Sequence, residues 1–448
     1  MPYLSNTTDD QKQMLQAIGA ASIKELFAMV PLKLQLNRYL DVPSAMGEME
    51  LTAHLGRLAA RNLPAGEGTC FLGGGSYDHF IPAVVDFVAS RSEFYTSYTP
   101  YQAEASQGTL QAVFQYQTLV TQLTGMDVSN ASLYDGATAA AEAVLMTLAA
   151  TRRQGRVVLA GSVHPEYRQV VATYMANQPT ELVTVNTPQG TLALEEVEAA
   201  VDEQTACVLL QHPNFFGCLE QVAAVAEIAH AAGALLVVAV DPISLGLLKR
   251  PGDCGADIVV AEGQPLGIPL GFGGPYLGML ACRERFLRRM PGRIVGQTTD
   301  RRGKRCFVLT LQTREQHIRR EKATSNVCTD EGLMALRASV YLAAMGPEGL
   351  RDVAQLCLHK SRYAAGRLAA LDGWEAAFER PTFKEFVVRR RDGDVEQIVE
   401  AAVSEGIFPG VPLGRWYPEL ADCLLVAVTE RRTKEEIDRL AEVLGKVM

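Results

Sequence analysis

Between residues 131 and 261, short apolar runs alternate with amphipathic stretches, and this alternation restricts the fold more than any other feature. Strands are predicted near 131–134, 156–160, 181–185, 206–211, 235–240 and 256–261. Helical patterns at about 137–153, 165–176, 194–201 and 220–232 lie between them. Strands that alternate with helices pair in parallel, because each crossover helix must pack back onto the sheet. Tyr276–Cys282 supplies a further strand, so the expectation is an α/β fold with a mainly parallel seven-stranded sheet. Residues 1–65 read as a helical arm, with capping boxes at Thr8-x-x-Gln11 and Ser22-x-x-Glu25. A helix from Gln107 to Thr124, closed by Gly125, precedes the alternating region. Beyond it, helices are predicted over Leu333–Met345 and Glu348–Leu371. The tail then reads strand, helix, strand, helix: Glu385–Arg390, Asp394–Ser404, Cys423–Val428 and Lys434–Val447. The expected domains are therefore 1–65, a large α/β domain over 66–325, and a smaller C-terminal α+β domain over 326–448.

Composition narrows the function. With 448 residues, 48% hydrophobic and 21% charged, the chain can bury large cores. A net charge of −9 offers no general attraction to nucleic acid or anionic lipid. One stretch departs from this: Arg283–Arg320 holds twelve Lys or Arg against Glu284, Asp300 and Glu315, and reads as a solvated or subunit-facing basic surface. Nine scattered Cys, with no Cys-x-x-Cys pair, read as reduced thiols of a cytoplasmic protein. The N-terminus lacks the layout of a signal peptide, and the apolar stretch Val222–Val240 is interrupted by Glu227, His230 and Gly233. The seven His show no i, i+4 pairing, so no metal site is expected.

The chemistry concentrates where strands end. Asp241 closes the strand 235–240, and the next strand opens into the loop Glu262-Gly-Gln-Pro-Leu-Gly-Ile-Pro-Leu-Gly-Phe-Gly-Gly-Pro275. An Asp after one strand and a Lys after the next is how many pyridoxal phosphate (PLP) enzymes hold their cofactor. The Asp pairs with the pyridinium nitrogen and the Lys forms the Schiff base. Twenty-three residues after Asp241, where that Lys would stand, is Gln264, and an amide cannot form an imine. Around this point, Asp135-Gly-Ala-Thr138 opens a helix whose N–H groups can hold a phosphate, although Asp135 would repel one. His164 and Asn214 stand at other strand ends that converge on the same crevice. Tyr95, Tyr98 and Tyr101, with Gln102 and Ser106, form a phenol-rich segment suited to orienting a carboxylate or phosphate, or else an arm packed on the core. Lys304 and Lys322 are the remaining lysines that neighbouring cations could activate.

Several strings match one family together: Tyr95–Gly108, Asn130–Glu142, Gln211–Gly217, Val240–Gly246, Gly263–Pro275 and Leu309–Asn326. Over nearly its whole length the chain resembles subunit 1, the alpha or N-terminal half, of the two-subunit P-protein of the glycine cleavage system. That resemblance implies a PLP-dependent transferase of fold type I. It implies a glycine dehydrogenase (decarboxylating) that passes the aminomethyl group of glycine to the lipoyl arm of H-protein. It implies further that the Schiff-base Lys belongs to a beta subunit in an α2β2 heterotetramer, with PLP bound covalently there. This chain would then have no catalytic group of its own. Asp135, Thr138, His164, Asn214, Asp241 and Gln264 would line a vestigial pocket, while Tyr95, Tyr98, Tyr101, Gln102 and Ser106 would reach the partner's site. The competing expectations are a scaffold that only stabilises the beta subunit, and a complete enzyme using Lys304 or Lys322.

Overall fold

The computed structural model describes residues 5–310, 316–391 and 393–446. One compact unit ends at Leu63 and a second begins at Pro64. In the first, helices Thr8–Ala17 and Glu48–Ala59 flank 3-10 turns at Ile23–Phe27 and Leu32–Leu34. The first capping box sits one residue earlier than predicted. Thr7 is extended, its hydroxyl accepts the Asp10 N–H, and the Asp10 carboxylate accepts the Thr7 N–H. Ser22 does accept from the Glu25 N–H, but it opens a 3-10 turn rather than an α-helix.

The second unit is built on a seven-stranded sheet. Its spatial order is Val128–Ser129, Gly278–Cys282, Ile258–Glu262, Leu235–Val240, Thr205–His212, Arg156–Ala160 and Glu181–Val185. Every strand runs the same way except Gly278–Cys282, which is antiparallel to both neighbours. The glycine-rich loop joins it to Ile258–Glu262 without a crossover helix, and such a short return permits only antiparallel pairing. The central strands are buried on both faces, which explains their continuous apolar runs. The fold is that of PLP enzymes of type I, α/β with a smaller strand domain.

The strand predicted at 131–134 is a correction. The regular strand is Val128–Ser129, and only Leu133 bridges to Gly278. Ser132 has φ 130°, and Ala131 donates its N–H to the Arg293 carbonyl, so the ladder breaks there. The basic stretch holds an unpredicted hairpin, Val295–Thr299 against Arg305–Leu309. Residues 311–315, part of the last motif string, lie outside those described. The predicted helices around Gly346-Pro347 abut as Gly332–Ala369, broken where Gly346 takes φ 60°.

The smaller sheet is antiparallel throughout, in the order Trp374–Ala376, Glu385–Arg390, Cys423–Ala427, Val411–Pro412. Period-two alternation gives it two buried faces. Phe386, Val388, Leu424 and Val426 meet Ile437, Leu440 and Leu444 of the last helix. Val387 and Leu425 turn the other way and meet Phe215, Phe216 and Tyr417. Phe215 and Phe216 follow the central strand Thr205–His212, so the small sheet docks at the carboxyl edge of the large one. This docking delivers Lys384 and Glu385 to the crevice. Among the described residues, no helix is long and apolar enough to cross a membrane.

Candidate functional site

The parallel strands end at His212, Val240 and Glu262, and the crevice beyond them is where an open α/β sheet binds ligands. Gln264 is buried, and its amide is fully engaged. Its oxygen accepts the Tyr77 N–H at 2.9 Å, and its nitrogen donates to the carbonyls of Tyr77 at 3.0 Å and Ile268 at 2.8 Å. It pins the segment Gly73–Phe80 across the crevice.

Asp241 does not face an open cavity. One oxygen accepts the Ile243 N–H, and the other lies 2.8 Å from the Lys384 ammonium. Lys384 is only 1% exposed. Its Nζ sits 3.3 Å from the centre of the Tyr77 ring and 3.1 Å from His79 Nε2. A lone pair facing an ammonium puts the His79 proton on Nδ1, which lies 2.6 Å from Glu430 Oε2. Burial works against ionisation of Glu430, but the hydrogen bonds from His79 Nδ1–H and the Phe80 N–H outweigh it and hold the carboxyl below its ordinary range. A second carboxyl, Glu385, accepts the Gly74 N–H at 2.7 Å and the Tyr77 hydroxyl at 2.8 Å. Burial pushes it up to about 7.

The helix N-terminus expected to hold phosphate is occupied by carboxyl groups of the chain itself. Asp135 caps the helix Gly136–Thr151, accepting the Thr138 N–H at 2.8 Å and its hydroxyl at 3.0 Å. The Gly136 N–H donates to Glu262 at 2.9 Å, and Glu262 also accepts from Gln264 and Leu277. Two carboxyl groups thus take the place a phosphate would need. Burial raises Glu262 to about 8. The residues present do not fit PLP: its anchor, its ring partner and its phosphate cup are each spoken for.

His164 caps the helix Pro165–Met175, its Nδ1 accepting the Glu166 N–H while Nε2 lies 2.6 Å from the Gly74 carbonyl. It stacks on Tyr167, with ring centres 4.9 Å apart, and burial lowers its pKa. A cavity of about 470 Å³ remains beside it, lined in part by Asp135, His164, Tyr167, Glu262 and Glu331. Asn214 does not line that cavity. Its amide donates to Gly190 and Glu220 and accepts from Phe216 and Cys218, so it organises its own loop. Among the described residues, His79, Cys357 and Glu430 bring possible metal-ligand atoms within 4.8 Å of one another. The Lys384 ammonium already stands against that group.

The phenol-rich segment lies apart from this network. Tyr95, Tyr98 and Tyr101 are 66%, 87% and 73% exposed, with Gln102 exposed and Ser106 half-buried. The Arg293 guanidinium, ion-paired with Asp330, lies over the Tyr101 ring. Tyr98, Arg293, Asp330 and Glu331 line a small cavity of about 230 Å³. Phe87 and Phe272 are also exposed. Lys304 and Lys322 are exposed, and neither lines this crevice.

The profile of the glycine cleavage system P-protein matches residues 1–444. The chain belongs to that family. Among its P-protein relatives, the probable glycine dehydrogenase (decarboxylating) subunit 1 of Desulforamulus reducens is 52% identical over 447 residues, all of both chains. The protein of the same description from Carboxydothermus hydrogenoformans is 54% identical, over 99% of each. The crystal structure of a glycine decarboxylase (P-protein) of the glycine cleavage system, in inhibitor-bound form, superposes with a TM-score of 0.90 at 43% identity, over the whole of both chains. A cysteine desulfurase of Escherichia coli, 14% identical over 90% of this chain and 98% of its own, shares the fold with a TM-score of 0.64.

Sequence reasoning about this P-protein chain missed Lys384, Tyr77, His79, Glu385 and Glu430. The available signal was the pair Lys384-Glu385, two charges set inside the apolar run Phe383–Val388. Lysine is almost never fully buried unless paired, so its position invited a search for a carboxylate.

Proposed function

We propose that this chain is the alpha subunit of glycine dehydrogenase (aminomethyl-transferring, decarboxylating). In this reading a beta subunit carries PLP covalently, and the two form an α2β2 assembly in the cytoplasm. The assembly decarboxylates glycine and transfers the aminomethyl group to the lipoyl arm of H-protein. PLP, when bound, accepts the electron pair left by loss of CO2. The chain's own contribution is the exposed surface of Tyr95, Tyr98 and Tyr101 with Gln102 and Ser106. Its phenols would orient the glycine carboxylate in the partner's site.

The observation that carries this reading is the self-filled crevice in a chain that matches subunit 1 relatives from end to end. Exposed aromatics on an otherwise well-packed unit support the second half, because large apolar surface left in water marks an interaction site.

The test is the visible absorbance of the full chain with added PLP, before and after borohydride, alone and co-purified with its second subunit. An imine band only in the co-purified sample, with the pyridoxyl group retained on the second subunit, supports the reading. A reducible imine on one lysine of this chain alone would overturn it.

A further inference from the structure

We infer that Lys384 is a resident substitute for the cofactor's ring cation, and that its bridge to Asp241 clamps the two sheets of this subunit together. This rests on the reading that the beta subunit holds the cofactor, and it adds why this subunit does not. The missing lysine at position 264 is then only part of the reason.

The argument is geometric. Asp241 extends the carboxyl end of a central strand of the large sheet, and Lys384 immediately precedes Glu385–Arg390 of the small one. Their ion pair, at 2.8 Å with side chains 12% and 1% exposed, joins the two sheets through the crevice floor. The ammonium lies over the Tyr77 ring and beside His79, whose other nitrogen is held by Glu430 after the last strand of the small sheet. Tyr77 in turn bridges Gln264 and Glu385. Each group a bound cofactor would contact therefore has a partner from this chain. Asp241 has an ammonium, position 264 has two backbone carbonyls, and the helix N-terminus has two carboxyl groups. A charge buried this deeply is tolerated only because it is paired, and removing one member strands the other. Moving the small sheet outward would separate Lys384 from Asp241, so the clamp opposes opening.

Two measurements on the full chain test this. The first compares Lys384→Met, Asp241→Asn and the double variant by urea unfolding. A clamp predicts that each single change destabilises and that the double recovers part of the loss. The expected coupling is at least about tenfold in the unfolding equilibrium constant, within the range for charges in one network. A double variant that folds where Lys384→Met alone does not would also support the clamp; strictly additive losses would refute it. The second introduces Gln264→Lys alone, adds PLP, reduces with borohydride and maps the product by mass spectrometry. The expectation is no pyridoxyl group at position 264, whereas a stoichiometric adduct there would overturn the inference. Neither readout involves the second subunit. A failure of the functional reading, seen as an imine on a different lysine of the unaltered chain, therefore stays distinguishable from a failure of the clamp.

Discussion

Replacing Glu385 by Gln should flatten the pH dependence of stability by an amount set by its burial. The carboxyl is 7% exposed and rises from 4.5 to about 7, chiefly through desolvation, with the Asp241 charge adding to it. The Gly74 N–H, Lys384 and the Tyr77 hydroxyl oppose the rise without cancelling it. Between those two values the folded chain retains a proton that the unfolded chain has released. Stability from this group is therefore fully present below about pH 4.5 and is lost as pH rises through about 7. At about 1.36 kcal/mol per pH unit, the loss is about 3 kcal/mol. Gln keeps the shape: its carbonyl can still accept the Gly74 N–H, and the Tyr77 hydroxyl can turn to accept from its NH2. Urea unfolding at about pH 5, 6, 7 and 8 gives the two slopes. Glu262, raised to about 8, contributes equally to both proteins and cancels in the difference. If the unaltered chain and Glu385→Gln lose stability in parallel across that range, the assignment of a protonated Glu385 is wrong.

Three further outcomes are expected. Gly217→Ala would place a Cβ 1.9 Å from the Glu385 carbonyl at φ +79°, so it should cost more than about 3 kcal/mol, seen as a lowered urea midpoint. Tyr95→Ala and Tyr98→Ala, both at exposed positions, should change stability by less than about 0.5 kcal/mol. Glycine-dependent turnover with the second subunit should nevertheless fall by about tenfold or more; unchanged turnover would favour a scaffold that contributes no group to the site. Of nine free thiols only Cys328 is exposed, so iodoacetamide should modify it first in the isolated chain, as peptide mapping would show.

Much of the architecture was readable because the signals are local. The strands 156–160, 181–185 and 235–240 announce themselves as β-branched and apolar runs, and each is found where periodicity put it. Gly125 ends the helix Gln107–Thr124 in the left-handed conformation that glycine adopts without strain. The short edge strand was misplaced because the backbone at Ser132 and the contact of Ala131 with Arg293 depend on distant chain. The basic hairpin escaped notice because charge says nothing about pairing.

By itself the sequence determined that an imine cannot form at position 264, since the side-chain chemistry of Gln264 forbids it in any fold. It also determined a mainly parallel sheet, because alternating apolar periods leave a chain few ways to bury its surface. Only the tertiary structure decided what fills the crevice. Asp241 and Lys384 are 143 positions apart in the sequence, and Tyr77 lies 187 positions from Gln264. No periodicity links them, because the docking of one sheet on another sets their proximity. A buried ion pair depends on distance and desolvation, and both come from how the two sheets pack.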